Sequence, residues 1–143
     1  MALFSVAVRG SAGTTTAAQA EFIAGANNAY SMKEIGFTIN AATASVFGFG
    51  KPAATGITPG TTSTVQAEDS GNTTAGNTTI ALTWGTGPTV PANFLRRVTL
   101  PATVGAGIVW TFPRGRNVLK TVSDVLWNIT TNSVADIWFV VDE

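Results

Sequence analysis

Neither cysteine nor histidine occurs among the 143 residues. The chain therefore offers no thiolate or imidazole zinc site, no cysteine nucleophile, no Ser-His-Asp arrangement and no disulfide. Charge is scarce as well: 8 Lys and Arg balance 8 Asp and Glu, scattered along the sequence, for a formal net charge of 0. Without a surplus of one sign there is no long-range field to hold nucleic-acid phosphates or an anionic membrane, so neither partner is expected. No window approaches the roughly 18 apolar residues of a spanning helix. The apolar stretch from Leu3 to Val8 has no basic residue before it, is shorter than a signal-peptide core and is ended by Arg9; no secretion signal is expected. The lack of thiols suits a reducing cytosol and an exposed particle surface equally.

What is present favours strands. Threonine alone accounts for 23 positions, with many Val, Phe and Ile and few Leu, Glu and Lys; these are poor helix formers and good pleated-sheet formers. At this length a compact fold buries about two-thirds of the surface of its unfolded chain, enough for a core without staples. We expect one domain over residues 1–143.

Along the chain, Leu3 to Arg9 reads as a first strand or, with the Gly/Ala/Thr-rich residues after it, as an N-terminal arm over residues 1–16. The run AAQAEFIA from Ala17 to Ala24 has alanine content that suits a helix, but Ala20, Phe22 and Ala24 also share one face of a strand. Gly25 to Asn28 then reads as a turn, and Ile35, Phe37 and Ile39 alternate in the segment Met32 to Asn40, which predicts a hairpin-like neighbour. Ala44 to Gly50 is a further strand, stopped at Lys51-Pro52. Residues 52–76, rich in Pro, Gly, Thr and Ser, predict a long surface loop. Beyond it, strands are expected over Asn77 to Trp84, Phe94 to Leu100, Gly107 to Phe112, Asp124 to Thr130 and Val134 to Asp142. Thr131-Asn132-Ser133 has hairpin length, so the last two strands are expected to pair. About eight to ten short strands punctuated by turns predict an all-β, antiparallel sandwich of jelly-roll type.

In the last strand Val134, Asp136, Trp138 and Val140 share one face, and Ala135, Ile137, Phe139 and Val141 the other. A sandwich strand normally has one wet face, so the second apolar face needs cover from a loop, an arm or another subunit. Trp127, Trp138 and Val140 are the residues we assign to an oligomer interface, since tryptophan is enriched there.

Tests for chemistry return little. Gly50-Lys51 ends like a phosphate loop, but Ser45 and Pro52 break the pattern. The acidic pairs Glu68-Asp69 and Asp142-Glu143 lie in a loop and at the C-terminus, where solvated acids are common. Asp124 and Asp136 bracket the last hairpin and could approach one another, or meet Arg114 or Arg116; solvated or ion-paired structural roles are expected for both. The sequons at Asn72, Asn77 and Asn128 match the chance level of so Thr-rich a chain. No catalytic residue, cofactor or metal ligand is assigned. Arg96 and Arg97 point to opposite faces of a strand, and one is expected in an internal or subunit-interface ion pair. Arg114 and Arg116 project from one turn and are candidates for an acidic partner surface, and Phe4 of the arm is a candidate for contact with a neighbouring chain.

The segments MKEIGFTINAATASVFGFGKPAA, PTVPANFLRRVTLP, GAGIVWTFPRG and VLWNITTNSVADIWFVVDE together resemble small virion structural proteins of tailed bacteriophages, head decoration or cement proteins with a jelly-roll fold. The resemblance spans the chain from about residue 18 onward. It implies a non-enzymatic protein of the capsid surface, made in the host cytoplasm, that associates with itself, often as a trimer, and clamps neighbouring copies of the major capsid protein. A tail-associated or carbohydrate-binding module is the alternative, because jelly rolls also serve as lectins.

Overall fold

Alternation of large apolar and polar side chains carries through to the architecture. Every regular element in the computed structural model, which describes residues 2–10, 18–130 and 133–143, is a β-strand. In chain order these are β1 (Leu3–Arg9), β2 (Ala18–Ile23), β3 (Tyr30–Ile39), β4 (Ser45–Gly50), β5 (Ile57–Pro59), β6 (Thr62–Thr64), β7 (Gln66–Ala67), β8 (Thr79–Ala81), β9 (Trp84–Thr86), β10 (Arg96–Leu100), β11 (Gly107–Val118), β12 (Ser123–Asn128) and β13 (Ala135–Asp142). They form a five-stranded sheet in the order β11-β3-β13-β1-β7, a six-stranded sheet in the order β10-β4-β12-β2-β8-β6, and a small β5-β9 pair, with antiparallel pairing throughout. The expected all-β antiparallel sandwich is what the chain forms.

Two expected pairings are corrected. β2 and β3 are not a hairpin, and neither are β12 and β13: in each case the connection carries the chain from the six-stranded to the five-stranded sheet. The reason is aromatic packing. Phe22 of β2 meets Phe139 of β13 across the interior with ring centroids 4.7 Å apart, an edge-on contact that needs the two strands in facing layers. β12 also has both edges occupied by β4 and β2, while β13 has both occupied by β3 and β1. Of the three-residue connection, Thr131 and Asn132 lie outside the described residues; at its end, buried Asn128 donates from Nδ2 to the Ser133 carbonyl at 3.1 Å. A glycan has no access to that asparagine.

The core is continuous from Phe4 to Val141. Phe37 packs on Phe47 at 4.8 Å and on Trp110 at 5.1 Å, and Phe49 packs on Phe112 at 5.8 Å. A bulge in β3 explains why its buried residues change parity. Glu34 pairs with Val140 and Met32 with Val141, which leaves Lys33 as the extra residue, so Tyr30 and Met32 point inward below it and Ile35, Phe37 and Ile39 above it.

Residues 52–76, expected as a long surface loop, are largely exposed and carry short strands. β6 and β7 each add a strand at the same side of the sandwich, and β5 pairs with β9. At the chain's N-terminal end β1 is an integral strand between β13 and β7; residue 1 and residues 11–16 of the expected arm lie outside the described residues.

One buried ion pair ties the two sheets together. Asp124 of β12 is fully enclosed and receives Arg116 of β11 in a bidentate grip, with N–O distances of 2.8 and 2.9 Å. Burial pushes the Asp124 carboxyl up, and Arg116 pulls it part of the way back. Nearby, the Tyr30 hydroxyl donates to the Phe22 carbonyl at 3.0 Å, and burial, then the Asp124 charge, raise its phenol well above the ordinary range.

Replacing Arg116 by Met strands a buried carboxylate and is expected to cost about 3–5 kcal/mol at neutral pH. Because the folded-state pKa of Asp124 lies above its unfolded value, this group's contribution to stability falls as pH rises between the two, and loss of Arg116 widens that window. Urea unfolding of R116M and wild type from acid to neutral pH is therefore expected to show a difference that grows with pH.

Candidate interaction surface

The two sheets treat their outer faces differently. On the outside of the six-stranded sheet, Ala18, Val125 and Trp127 are buried under Trp84, Val90, Phe94 and Ile129, a second small core made by the chain's own connections. Phe94 meets Trp127 edge-on at 5.7 Å. The anchor of this cover is Glu21 of β2. Its carboxyl accepts from Ser123 Oγ at 2.6 Å, from Trp84 Nε1 at 2.6 Å and from the Gly56 amide at 3.1 Å, so a buried acid holds the loop down with all three contacts directed. Sequence reading passed over Glu21, since one acid in an alanine-rich run carries no motif.

Among the described residues no such cover lies over the five-stranded sheet. Registers place Val109, Gly36, Trp138 and Ala7 in one row across its outer face, and Thr111, Glu34, Val140, Ser5 and Gln66 in the next. Trp138 and Val140 are half-buried, whereas Val109 and Leu3 of the same face are 46% and 47% exposed. Gly36 is small for a specific reason: the six-membered ring of Trp138 lies where a side chain at position 36 would begin. The indole is thereby laid flat along the sheet, and its Nε1 donates to Glu34 Oε1 at 3.0 Å.

Charge on this face is mostly cancelled internally. Arg9 grips Asp136 at 2.7 and 3.0 Å, which holds the Asp136 carboxyl below the usual range, and Lys33 stands 3.7 Å from Asp142. The result is a flat, nearly neutral surface with an aromatic ring at its centre. The C-terminal Glu143 takes a different task, accepting from the Asn77 and Thr78 amides at 3.0 to 3.4 Å and closing the 72–78 segment. Asp69 caps its own turn through the Gly71 amide at 2.9 Å.

The residues singled out from the sequence thus separate. Trp138 and Val140 share this open face. Trp127, wholly buried beneath Phe94, and Phe4, 3% exposed in the main core, present no side-chain surface to a partner. Their size and aromaticity serve the chain's own packing. Arg116 is committed to Asp124, while Arg114, two residues before it, is exposed and has no ion pair among the described residues. No turn forms there, since β11 continues through to Val118; the two arginines are split by an irregularity in its register, where Gly115 between them adopts φ +74°, a conformation that glycine takes without strain. Neither Arg96 nor Arg97 forms an internal ion pair among the described residues; the Arg96 guanidinium lies 5.4 Å from the centroid of the Phe112 ring.

A scan against protein-family models, a search of curated proteins and a search of solved structures each return no match. The surface has to be read from its own chemistry.

Two substitutions test this geometry. Gly36→Ala forces the Trp138 ring off the sheet and is expected to destabilise by about 1–3 kcal/mol, with increased access of Trp fluorescence to acrylamide. Glu21→Ala strands three donors and is expected to cost about 3 kcal/mol by urea unfolding, with a red-shifted Trp84 emission as the covering loop loosens.

Proposed function

We propose that this chain is a non-enzymatic structural protein that associates with itself and binds the outside of a preassembled particle, a capsid decoration protein of a tailed bacteriophage. The observation that carries the self-association is the uncovered outer face of the five-stranded sheet. One outer face of the sandwich is sealed by the chain's own loops, and the other keeps Trp138, Val140, Val109 and Leu3 at the surface with the neighbouring charges already paired. A central aromatic ring, few unpaired charges and a flat outline are features of surfaces that bury against a protein. The trimer, the major capsid protein as partner and the virion location come from the sequence resemblance.

Connectivity supports the jelly-roll reading within that proposal. Four strands of each sheet, β11-β3-β13-β1 and β10-β4-β12-β2, face each other, and the chain passes between sheets from β1 to β2, β2 to β3, β3 to β4, β10 to β11, β11 to β12 and β12 to β13. The lectin alternative finds less support. A groove of about 770 Å³ between β1 and the 63–76 segment is lined by Thr, Ser, Asn, Gln, Asp69 and small apolar residues with no aromatic ring on which a sugar would stack, and Trp138 lies outside it on the open sheet face.

Light scattering on the purified protein is expected to give a mass near three times the 14.7 kDa chain. Val140→Glu is expected to return it to one chain with unchanged strand content by circular dichroism. Co-sedimentation with undecorated phage heads is expected for wild type; a concentration-independent monomer that ignores such heads would refute the proposal.

A further inference from the structure

A different part of the molecule, the edge rather than the face of the five-stranded sheet, has the make-up of a peptide-docking site. β11 is the last strand of its sheet, and no strand pairs with its far side among the described residues. Free edges invite further strands, and folded proteins usually guard them with charge, proline or a short length. The neighbouring free edge, β10, is guarded: it is five residues long, opens with Arg96 and Arg97 and is followed by Pro101. By contrast β11 runs for twelve residues, and its first six, Gly107 to Phe112, include no charge and no proline. The guards begin only at Pro113 and Arg114.

Where that open edge ends stand two cations that pair with no acid among the described residues. Arg96 and Arg114 stand on either side of a shallow cavity of about 360 Å³, floored by Phe112 and Pro113. Arg96 is held in place by its position over the Phe112 ring and by donating to the Leu95 carbonyl at 3.0 Å. Neither arginine meets an acid among the described residues. A guanidinium fixed over an aromatic ring keeps its outward N–H groups free for a carboxylate, and two of them favour an acidic group strongly.

We infer that the free edge of β11 accepts an extended peptide segment of another protein as an additional strand, with acidic residues of that segment held between Arg96 and Arg114. Backbone hydrogen bonds along residues 107–112 supply the affinity and the arginine pair supplies direction and selectivity, the division of labour found in strand addition. A second copy of this chain fits the edge less well. Its strand-borne acids are taken: Asp124 by Arg116, Asp136 by Arg9, Asp142 by Lys33, Glu21 by Ser123, Trp84 and Gly56, and Glu34 by Trp138. The inference does not depend on the virion reading, and the site is separate from the Trp138 row.

The test uses a fluorescently labelled peptide of alternating threonine and valine that ends in a run of aspartates, titrated with the full chain and followed by anisotropy. Control peptides end in lysines or carry N-methyl groups on alternate backbone amides. The acidic peptide is expected to bind at least tenfold more tightly than either control. Arg96→Gln and Arg114→Gln, both exposed changes that leave the core untouched, are each expected to weaken it about tenfold, and added salt to weaken it further. Equal binding of the lysine peptide, indifference to the two glutamine variants or retention of the N-methylated peptide would each overturn the inference. So would failure of the acidic peptide to bind, including the case in which the β11 edge is already occupied by a second copy.

Discussion

Everything in this sandwich depends on a layer of rings between two sheets. Phe22, Phe37, Phe47, Phe49, Trp110, Phe112 and Phe139 come from five strands and both sheets, with neighbouring centroids roughly 5 to 6 Å apart. Such a layer needs a supply of large side chains from both sides at each level, because rings packed edge to face interlock and leave no room for a polar group. The simplest way for one chain to supply it is to alternate between sheets. Local hairpins at 24–29 and 129–134 would pair strands side by side and separate rings that the core requires face to face. In the absence of disulfides, interior close packing and the Arg116–Asp124 bridge between the sheets do the work of staples.

This demand on the interior determines what is left for the outside. Large aromatics appear on both outer faces, but with different fates. Trp127 would be an exposed liability on the six-stranded sheet, and the chain spends residues 84–95 covering it, pinned through Glu21 to the loop at Gly56. Trp138 receives a weaker treatment: a glycine beneath its ring and a carboxylate at its nitrogen position the indole without burying it. A chain that builds a loop to hide one tryptophan has the means to hide another. That the second is positioned precisely enough to need Gly36, yet stays accessible, is the physical basis for regarding the five-stranded face as a contact surface.

Much of this was legible in the sequence, and the gaps have a common cause. Composition and alternation located the long strands, including β3, β4, β10 and β13, to within a few residues. They also separated Trp138 and Val140 from the inward Ile137, Phe139 and Val141. Partner choice was not legible, because alternation records which face of a strand is apolar and says nothing of which sheet it joins; hence the mistaken β2/β3 and β12/β13 pairings. The same blindness placed Trp127 at a surface, since a residue on an outer face is buried or open according to a loop some forty residues away. Glu21 was missed for a related reason: its donors Ser123, Trp84 and Gly56 converge from three distant segments. The strands β5 to β7 escaped notice because Thr-rich, Pro-bounded segments of two or three residues look the same in a loop and at a sheet edge.

The arginines show how a chain of zero net charge still acquires a directional surface. Acids and bases are equal in number, but the acids are drawn inward or into local tasks: Asp124 is enclosed, Glu21 and Glu143 hold backbone segments, and Asp136 and Asp142 answer cations on their own sheet. Committing acids to other places in this way leaves Arg96 and Arg114 without an acid among the described residues where both sheets end. Local potential follows from which charges are already answered, not from the total, so electroneutrality of the sequence does not argue against an acidic partner at this edge. Gly115 completes the device. By turning the chain through a positive φ, it sends Arg116 inward to stabilise the fold and leaves Arg114 outward beside Arg96, so two arginines two residues apart carry a structural role and a recognition role without competing for the same acid.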